Sequence, residues 1–164
     1  MTDRFNALSA LVQSGHALSA EALAIFHKMF ANEALVIDKW FALQAGASDR
    51  GGHILPIVRQ LLQHPDFSLK NPNRARSLVF SYCSANPGAF HRSDAAGYVF
   101  WSDRVLEMDA TNPQVAARLA RALDRWSHLA EPYRSAAKVA IERVSAKPDL
   151  SNDVREVVSR ALSQ

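Results

Sequence analysis

Few side chains in this 164-residue chain could do chemistry, and their spacing argues against a self-contained active site. The six histidines are His16, His27, His53, His64, His91 and His128. No two of them are four residues apart, the spacing that would place both imidazoles on one helix face to bind zinc. The chain also has no His-Glu-x-x-His segment, no glycine-rich phosphate loop and no Gly-x-Ser-x-Gly elbow. We therefore expect neither a catalytic residue nor a metal ligand.

Two other side chains of chemical interest have structural interpretations. Cys83 is the only cysteine, so an internal disulfide and a thiolate zinc cage are excluded. It lies in an apolar helical segment, where a thiol usually packs as a small hydrophobic group. His64 precedes Pro65 and Asp66. We expect His64 to cap a turn there, and the alternative is an orientation against the Asp66 carboxylate.

The charge pattern gives a weak indication of anion binding. The chain has 19 Lys and Arg against 16 Asp and Glu, a net charge of +3, which is too small to indicate a nucleic-acid-binding protein. No acidic residue occurs between Phe67 and Ser93, whereas several basic residues do. These are Lys70, Arg74, Arg76 and Arg92. The segment fits a solvated basic face or guanidinium contacts to carboxylates and phosphates.

Apolar residues recur at helical spacing along the chain, and no sustained strand alternation competes with this pattern. An Asn-Pro pair precedes three predicted helices, with Asn able to cap the helix and Pro suited to its first position. The pairs begin at Asn71, Asn86 and Asn112. A further helix is expected to begin at Pro132, with Val139 on its buried stripe. All three tryptophans fall on apolar stripes and are expected in the core. They are Trp40, Trp101 and Trp126.

The pattern predicts an all-α fold of about nine or ten helices joined by short connections. Antiparallel helix pairs cannot bury their apolar stripes alone, so we expect them to stack into a right-handed superhelix, an α-solenoid of the HEAT or armadillo type. A closed helical bundle is the alternative. No apolar run approaches the roughly 18 residues of a membrane-spanning helix, and the N-terminus lacks a signal-peptide layout. We therefore expect a cytoplasmic protein.

Two sequence blocks carry a resemblance to a known family. Residues 71–76 read Asn-Pro-Asn-Arg-Ala-Arg, and residues 112–118 read Asn-Pro-Gln-Val-Ala-Ala-Arg. Together they resemble the C-terminal domain of bacterial aminopeptidase N, in the zinc-dependent M1 metallopeptidase family. Further segments, including 35–45, 86–91 and 94–98, extend the resemblance over essentially the whole chain.

The resemblance implies that residues 1–164 form a single C-terminal helical-repeat domain, without the N-terminal and catalytic domains of the family. In that family zinc is bound by a His-Glu-x-x-His…Glu site in the catalytic domain, which is absent from this sequence. The implied role is non-catalytic: the domain would cap the active-site cavity and help to position peptides for removal of their N-terminal residues. The implied partners are the upstream catalytic domain and peptide substrates, with neither nucleic acid nor membrane. The implied cofactor is the zinc of the parent enzyme.

Arg76 and Arg118 are the candidate substrate-channel residues. Both lie in the two matching blocks, where positions of the family face the cavity, and a forked guanidinium suits a peptide carboxylate or carbonyl. For Arg118 the alternative is an exposed helix arginine, because Arg121 and Arg125 follow it at helical spacing.

Two other functions stay open on the sequence alone. The chain could be an independent α-solenoid scaffold that binds a protein or peptide on its concave face. It could also bind nucleic acid through the segment from Lys70 to Arg92, in which case binding would weaken steeply with salt.

Overall fold

The computed structural model describes all 164 residues, and all of its regular structure is helical. The prediction of an all-α fold is therefore confirmed. The chain divides into two compact units, Met1–Ala89 and Phe90–Gln164, called unit 1 and unit 2 below. None of the helices combines the length and apolar character that crossing a membrane requires.

Unit 1 is built around one buried helix. Its longer helices are α1 (Thr2–Ser14), α2 (Ser19–Met29), α3 (Ala34–Ala45) and α4 (Ile54–Leu61). After them, α5 (Pro72–Ala75) continues into a π-helical segment, Arg76–Phe80, and then into α6 (Ser81–Cys83). Seven of the 12 residues of α3 are buried, because this helix packs against α4 on one side and the π-helical segment on another.

Unit 2 contains four helices that share one core. The short α7 (Pro87–Phe90) spans the boundary between the units. The four helices are α8 (Ala96–Asp109), α9 (Pro113–Ala120), α10 (Tyr133–Ser145) and α11 (Asn152–Leu162). α8 and α11 each pack against both α9 and α10. Two short 3-10 turns, Arg121–Leu123 and Trp126–His128, connect α9 to α10.

A helix begins at the proline of each of the three Asn-Pro pairs, as predicted, and two of the three asparagines cap their helices. The Asn71 side chain accepts hydrogen bonds from the backbone N–H groups of Asn73 and Arg74, at 3.0 and 3.3 Å. Asn112 accepts from the N–H of Val115 at 3.2 Å. In both cases the amide oxygen satisfies donors that the first helical turn leaves without a partner.

The third pair uses its asparagine differently. Asn86 is buried, and its side-chain amide donates to the carbonyl oxygens of Ala45 and Ala47, at 2.9 and 2.8 Å. This side chain therefore ties the chain before α7 to the end of α3, instead of capping α7. A polar group buried in this way is stable because both of its N–H donors have partners.

One residue of the helix that begins after Pro132 lies outside the buried stripe on which it was predicted. Val139 is 64% exposed, so its predicted place on the buried stripe is wrong. The buried residues of α10 include Ala137 and Ile141, one turn apart. The branched side chain of Ile141 fills the core of unit 2 in place of Val139.

Each of the three tryptophans is buried and hydrogen-bonded, so their predicted place in the core is confirmed. They are Trp40, Trp101 and Trp126, at 6%, 0% and 9% exposure. Their indole N–H groups donate to the backbone carbonyls of Leu23, Leu119 and Ala161. A buried indole needs such a partner, and each bond here links two segments of one unit.

Candidate functional site

Unit 1 contains an open cavity of about 670 Å³ between α1, α2, α3 and α4. Much of its wall is apolar, with side chains such as Leu23, Ile57 and Leu61. Four histidines also line it, and they are His16, His27, His53 and His64. The cavity therefore combines an apolar surface with several imidazole nitrogens, which can accept hydrogen bonds or bind metal ions.

Two of these histidines form a cluster with a carboxylate. Nε2 of His27, on α2, donates to Oδ2 of Asp66 at 2.6 Å. Nδ1 of His64 accepts the backbone N–H of Asp66 at 3.1 Å, and it lies 3.9 Å from Oδ2. The hydrogen bond at 3.1 Å confirms the turn role predicted for His64. The Asp66 carboxylate, in contrast, faces His27 more closely than His64.

Burial favours the neutral form of His64. Desolvation lowers the pKa of His64 below its ordinary value of 6.5, and the neighbouring His27 and Arg74 lower it further, whereas Asp66 raises it. A neutral imidazole keeps a lone pair on one ring nitrogen. His64 is therefore held in the form that acts as a hydrogen-bond acceptor or metal ligand near neutral pH.

Arg74 fixes the loop that carries Asp66. Its Nε donates to the carbonyl oxygen of Asp66 at 2.9 Å, and its Nη1 donates to the carbonyl oxygen of Ala34 at 3.0 Å. Nη1 also forms an ion pair with Asp38, in which both side chains are largely buried. The guanidinium thus braces the loop against α3, and Asp38 neutralises its charge.

Trp40 holds the two imidazoles from the side of α3. Its ring centroid lies 4.9 Å from that of His27 and 5.3 Å from that of His64. The rings of His27 and His64 meet edge to face, 5.0 Å apart. Packing of this kind restricts the rotamers of both histidines.

Arg76 and Arg118 lie in different units. Arg76 begins the π-helical segment of unit 1, and Arg118 lies on α9 in unit 2. Both residues are exposed, and neither guanidinium makes a hydrogen bond or ion pair within the chain. Each could therefore contact an external group, and their role as channel residues stays a prediction.

The basic segment is less available to an external anion than its sequence suggests. Arg74 is paired with Asp38, as described above. Arg92 binds the carboxylate of Asp94 through Nε and Nη2, at 2.9 and 2.7 Å. The Arg92 guanidinium, together with the N–H of Ala96, lowers the pKa of Asp94 to about 2.

The cluster of His27, His64 and Asp66 could not be found from spacing within a helix. His27 and Asp66 are 39 residues apart in sequence, and only the packing of α2 against the loop after α4 brings them together. His64 and Asp66, two residues apart around a proline, were the one local signal.

Comparison with known proteins identifies the family. A family model described as a domain of unknown function with ARM repeats, DUF3458_C, matches residues 1–163. Aminopeptidase N of Caulobacter vibrioides is 41% identical over 162 residues, and that of Escherichia coli is 36% identical over 163. Each alignment covers 99% of this chain but 18% of the relative, so the chain spans less than a fifth of their length.

A solved structure agrees with these matches. Legionella pneumophila aminopeptidase A, crystallised in complex with aspartic acid, superimposes with a TM-score of 0.91 at 27% sequence identity. The alignment covers 99% of this chain and 19% of that protein. The chain therefore belongs to the DUF3458_C family of ARM-repeat domains and is similar over its whole length to the C-terminal domain of aminopeptidase N.

Proposed function

We propose that this chain is the non-catalytic helical domain of a longer aminopeptidase polypeptide. There it caps the active-site cavity and helps to position peptides whose N-terminal residue is removed. The observation that carries the proposal is the similarity to aminopeptidase N over 99% of this chain and 18% of the relative. A segment of that size, shared over its whole length, fits one domain of a larger enzyme.

In this proposal the peptidase zinc belongs to another part of the polypeptide. The family's His-Glu-x-x-His motif places two histidines on one helix face, with a glutamate between them as the base. The paired histidines of this chain, His27 and His64, come from α2 and from the loop after α4, and their neighbour is Asp66. This set does not fit the peptidase site, so no step of peptide hydrolysis is assigned to these residues.

The two exposed arginines would contribute to substrate placement. A peptide bound by its amino group at the zinc site still has carbonyl groups and a C-terminal carboxylate that need partners. Guanidinium groups form paired hydrogen bonds to such oxygens, and these contacts strengthen in a cavity shielded from bulk water. Arg76 and Arg118 suit this role because neither is engaged within the chain.

An apolar groove in unit 1 supports contact with the remainder of the polypeptide. It lies between α1 and α2 and includes Leu11, Ile25 and Met29. Ile25 and Met29 are 53% and 48% exposed. Exposed apolar side chains gathered in a groove are typical of an interface, and the catalytic domain is the proposed occupant.

Substitution of the arginines in the full-length enzyme tests the positioning role. We expect Arg76→Ala or Arg118→Ala to raise KM for peptides of several residues roughly three- to tenfold, since a charge-assisted hydrogen bond at a partly solvated arginine contributes about 1 kcal/mol. Single-residue chromogenic substrates do not reach these side chains, so their kinetics should change little. Steady-state kinetics with both substrate classes measures the difference.

Two other arginines provide matched controls. Arg59 is exposed in unit 1, and Arg134 forms only an exposed ion pair in unit 2. Their alanine variants should leave both substrate classes unchanged. Equal kinetics for all four variants and the unmodified enzyme would remove the positioning role of Arg76 and Arg118.

A further inference from the structure

We propose that His27, His64 and Asp66 form a binding site for a divalent transition-metal ion such as Zn²⁺. One ligand atom from each residue lies within 4.8 Å of the other two. Imidazole nitrogens with a carboxylate oxygen are a donor set that zinc accepts in proteins.

The two distances from Asp66 to the imidazole nitrogens are close to those of a zinc site. Two ligand atoms at about 2.0–2.1 Å from a tetrahedral zinc ion lie about 3.3 Å apart. Here Nε2 of His27 is 2.6 Å from Oδ2 of Asp66, and Nδ1 of His64 is 3.9 Å from the same oxygen. On zinc binding, the distance between His27 and Asp66 must therefore increase by about 0.7 Å, and the distance between His64 and Asp66 must decrease by about 0.6 Å.

The Asp66 side chain has the freedom for this adjustment. It is 38% exposed, whereas the two imidazoles are 23% and 25% exposed and packed against Trp40. Rotation of the carboxylate can change both of its distances to the imidazole nitrogens. Arg74 holds the backbone of Asp66, so the movement is confined to the side chain.

The present hydrogen bonds would be exchanged for metal bonds. A metal ion would displace the proton that His27 shares with Asp66, as expected when a metal binds a protonated site. It would also take the lone pair of His64 Nδ1 that now accepts the N–H of Asp66.

The surroundings provide access and limit repulsion. Both histidines line the 670 Å³ cavity, so a fourth coordination position can be occupied by water or by a ligand in that space. The nearest guanidinium, that of Arg74, is paired with Asp38, which reduces its repulsion of a cation.

Metal titration of the 164-residue chain tests the proposal. Isothermal titration with Zn²⁺ should give one site per chain, and Co²⁺ should give the visible absorption of a four-coordinate ion. Loss of one ligand in His27→Gln or Asp66→Asn should weaken the Zn²⁺ affinity at least tenfold. The control His128→Gln changes an exposed histidine of unit 2 and should leave the affinity unchanged.

Circular dichroism establishes whether each variant is folded. If His27→Gln does not fold, Asp66→Asn, which changes a residue in an exposed loop, decides the result. Absence of a one-to-one Zn²⁺ complex, or equal affinity in Asp66→Asn and His128→Gln, would overturn the site. The experiment uses no peptidase assay, so the metal site and the proposed function can each fail without the other.

Discussion

Asn86 offers the sharpest test of what holds unit 1 together. Its amide donates to two backbone carbonyls at the end of α3, those of Ala45 and Ala47, at 2.9 and 2.8 Å. The variant Asn86→Ala removes both donors and leaves both oxygens in a site where asparagine is only 9% exposed. A small cavity would remain in place of the amide.

The magnitude follows from the two lost hydrogen bonds. A buried acceptor left without a partner costs about 1–3 kcal/mol. Two carbonyl oxygens lose their donor here, and partial access of water to this site reduces their combined cost. We therefore expect Asn86→Ala to lower the free energy of unfolding by about 2–4 kcal/mol. For a chain of this size that corresponds to a decrease in Tm of roughly 5–15 °C.

Thermal unfolding followed by circular dichroism measures the effect, and two further variants sharpen it. Asn73→Ala changes an exposed asparagine of the same unit whose side chain makes no hydrogen bond, and it should stay within about 0.5 kcal/mol of the unmodified chain. Asn86→Asp places a carboxylate against the same two carbonyls and should destabilise at least as much as alanine. If Asn86→Ala and Asn73→Ala unfold at the same temperature, the two hydrogen bonds do not stabilise unit 1.

Two more predictions concern pH and partner binding. Burial lowers the pKa of His91, whose Nδ1 lies 2.8 Å from the Tyr98 hydroxyl. His91 therefore binds a proton more tightly in the unfolded chain than in the folded chain. The free energy of unfolding has its full value above about pH 6.5, where His91 is neutral in both states, and it decreases as the pH falls below that value. His91→Asn, which keeps an acceptor for Tyr98, should give a shallower dependence in urea unfolding between about pH 7 and pH 5; an unchanged slope would contradict the assignment. In the apolar groove, Ile25→Glu should weaken association with the complementary aminopeptidase fragment at least tenfold in sedimentation experiments, whereas Leu35→Glu, which is 71% exposed outside the groove, should not. No measurable association of the unmodified chain would remove the proposed interface.

Local signals in the sequence predicted the helix starts well. Asn71 and Asn112 cap helices because the required side chain and the free N–H groups lie within three residues of one another. At the pair Asn86-Pro87 the helix start was also correct, but the predicted cap was wrong, because the acceptors of the Asn86 amide are 41 and 39 residues away. A local pattern cannot distinguish a capping amide from one that bridges two segments.

The buried stripe of α10 shows a second kind of limit. Val139 and Ile141 are both apolar and lie two residues apart, so helical spacing permits a stripe through either one. The neighbouring α8 and α11 decide the choice, since they pack against the face that carries Ile141. The π-helical segment Arg76–Phe80 likewise has no sequence signature that the spacing of apolar residues could detect.

The candidate site was predicted only in part. Arg76 and Arg118 come from the family resemblance, and the structure adds that both are exposed and unpaired. The cluster of His27, His64 and Asp66 depends on a contact between α2 and a distant loop, so the local pair of His64 and Asp66 could not indicate that His27 joins it. The cytoplasmic location likewise stays a prediction.

The placement of the three tryptophans gives each unit its own optical reporter. Trp40 is the only indole of unit 1, and Trp101 and Trp126 both lie in unit 2. All three are buried, so exposure to water on unfolding should shift their fluorescence to longer wavelengths. A chain that keeps only Trp40 would therefore report the melting of the first 89 residues separately from that of the remainder.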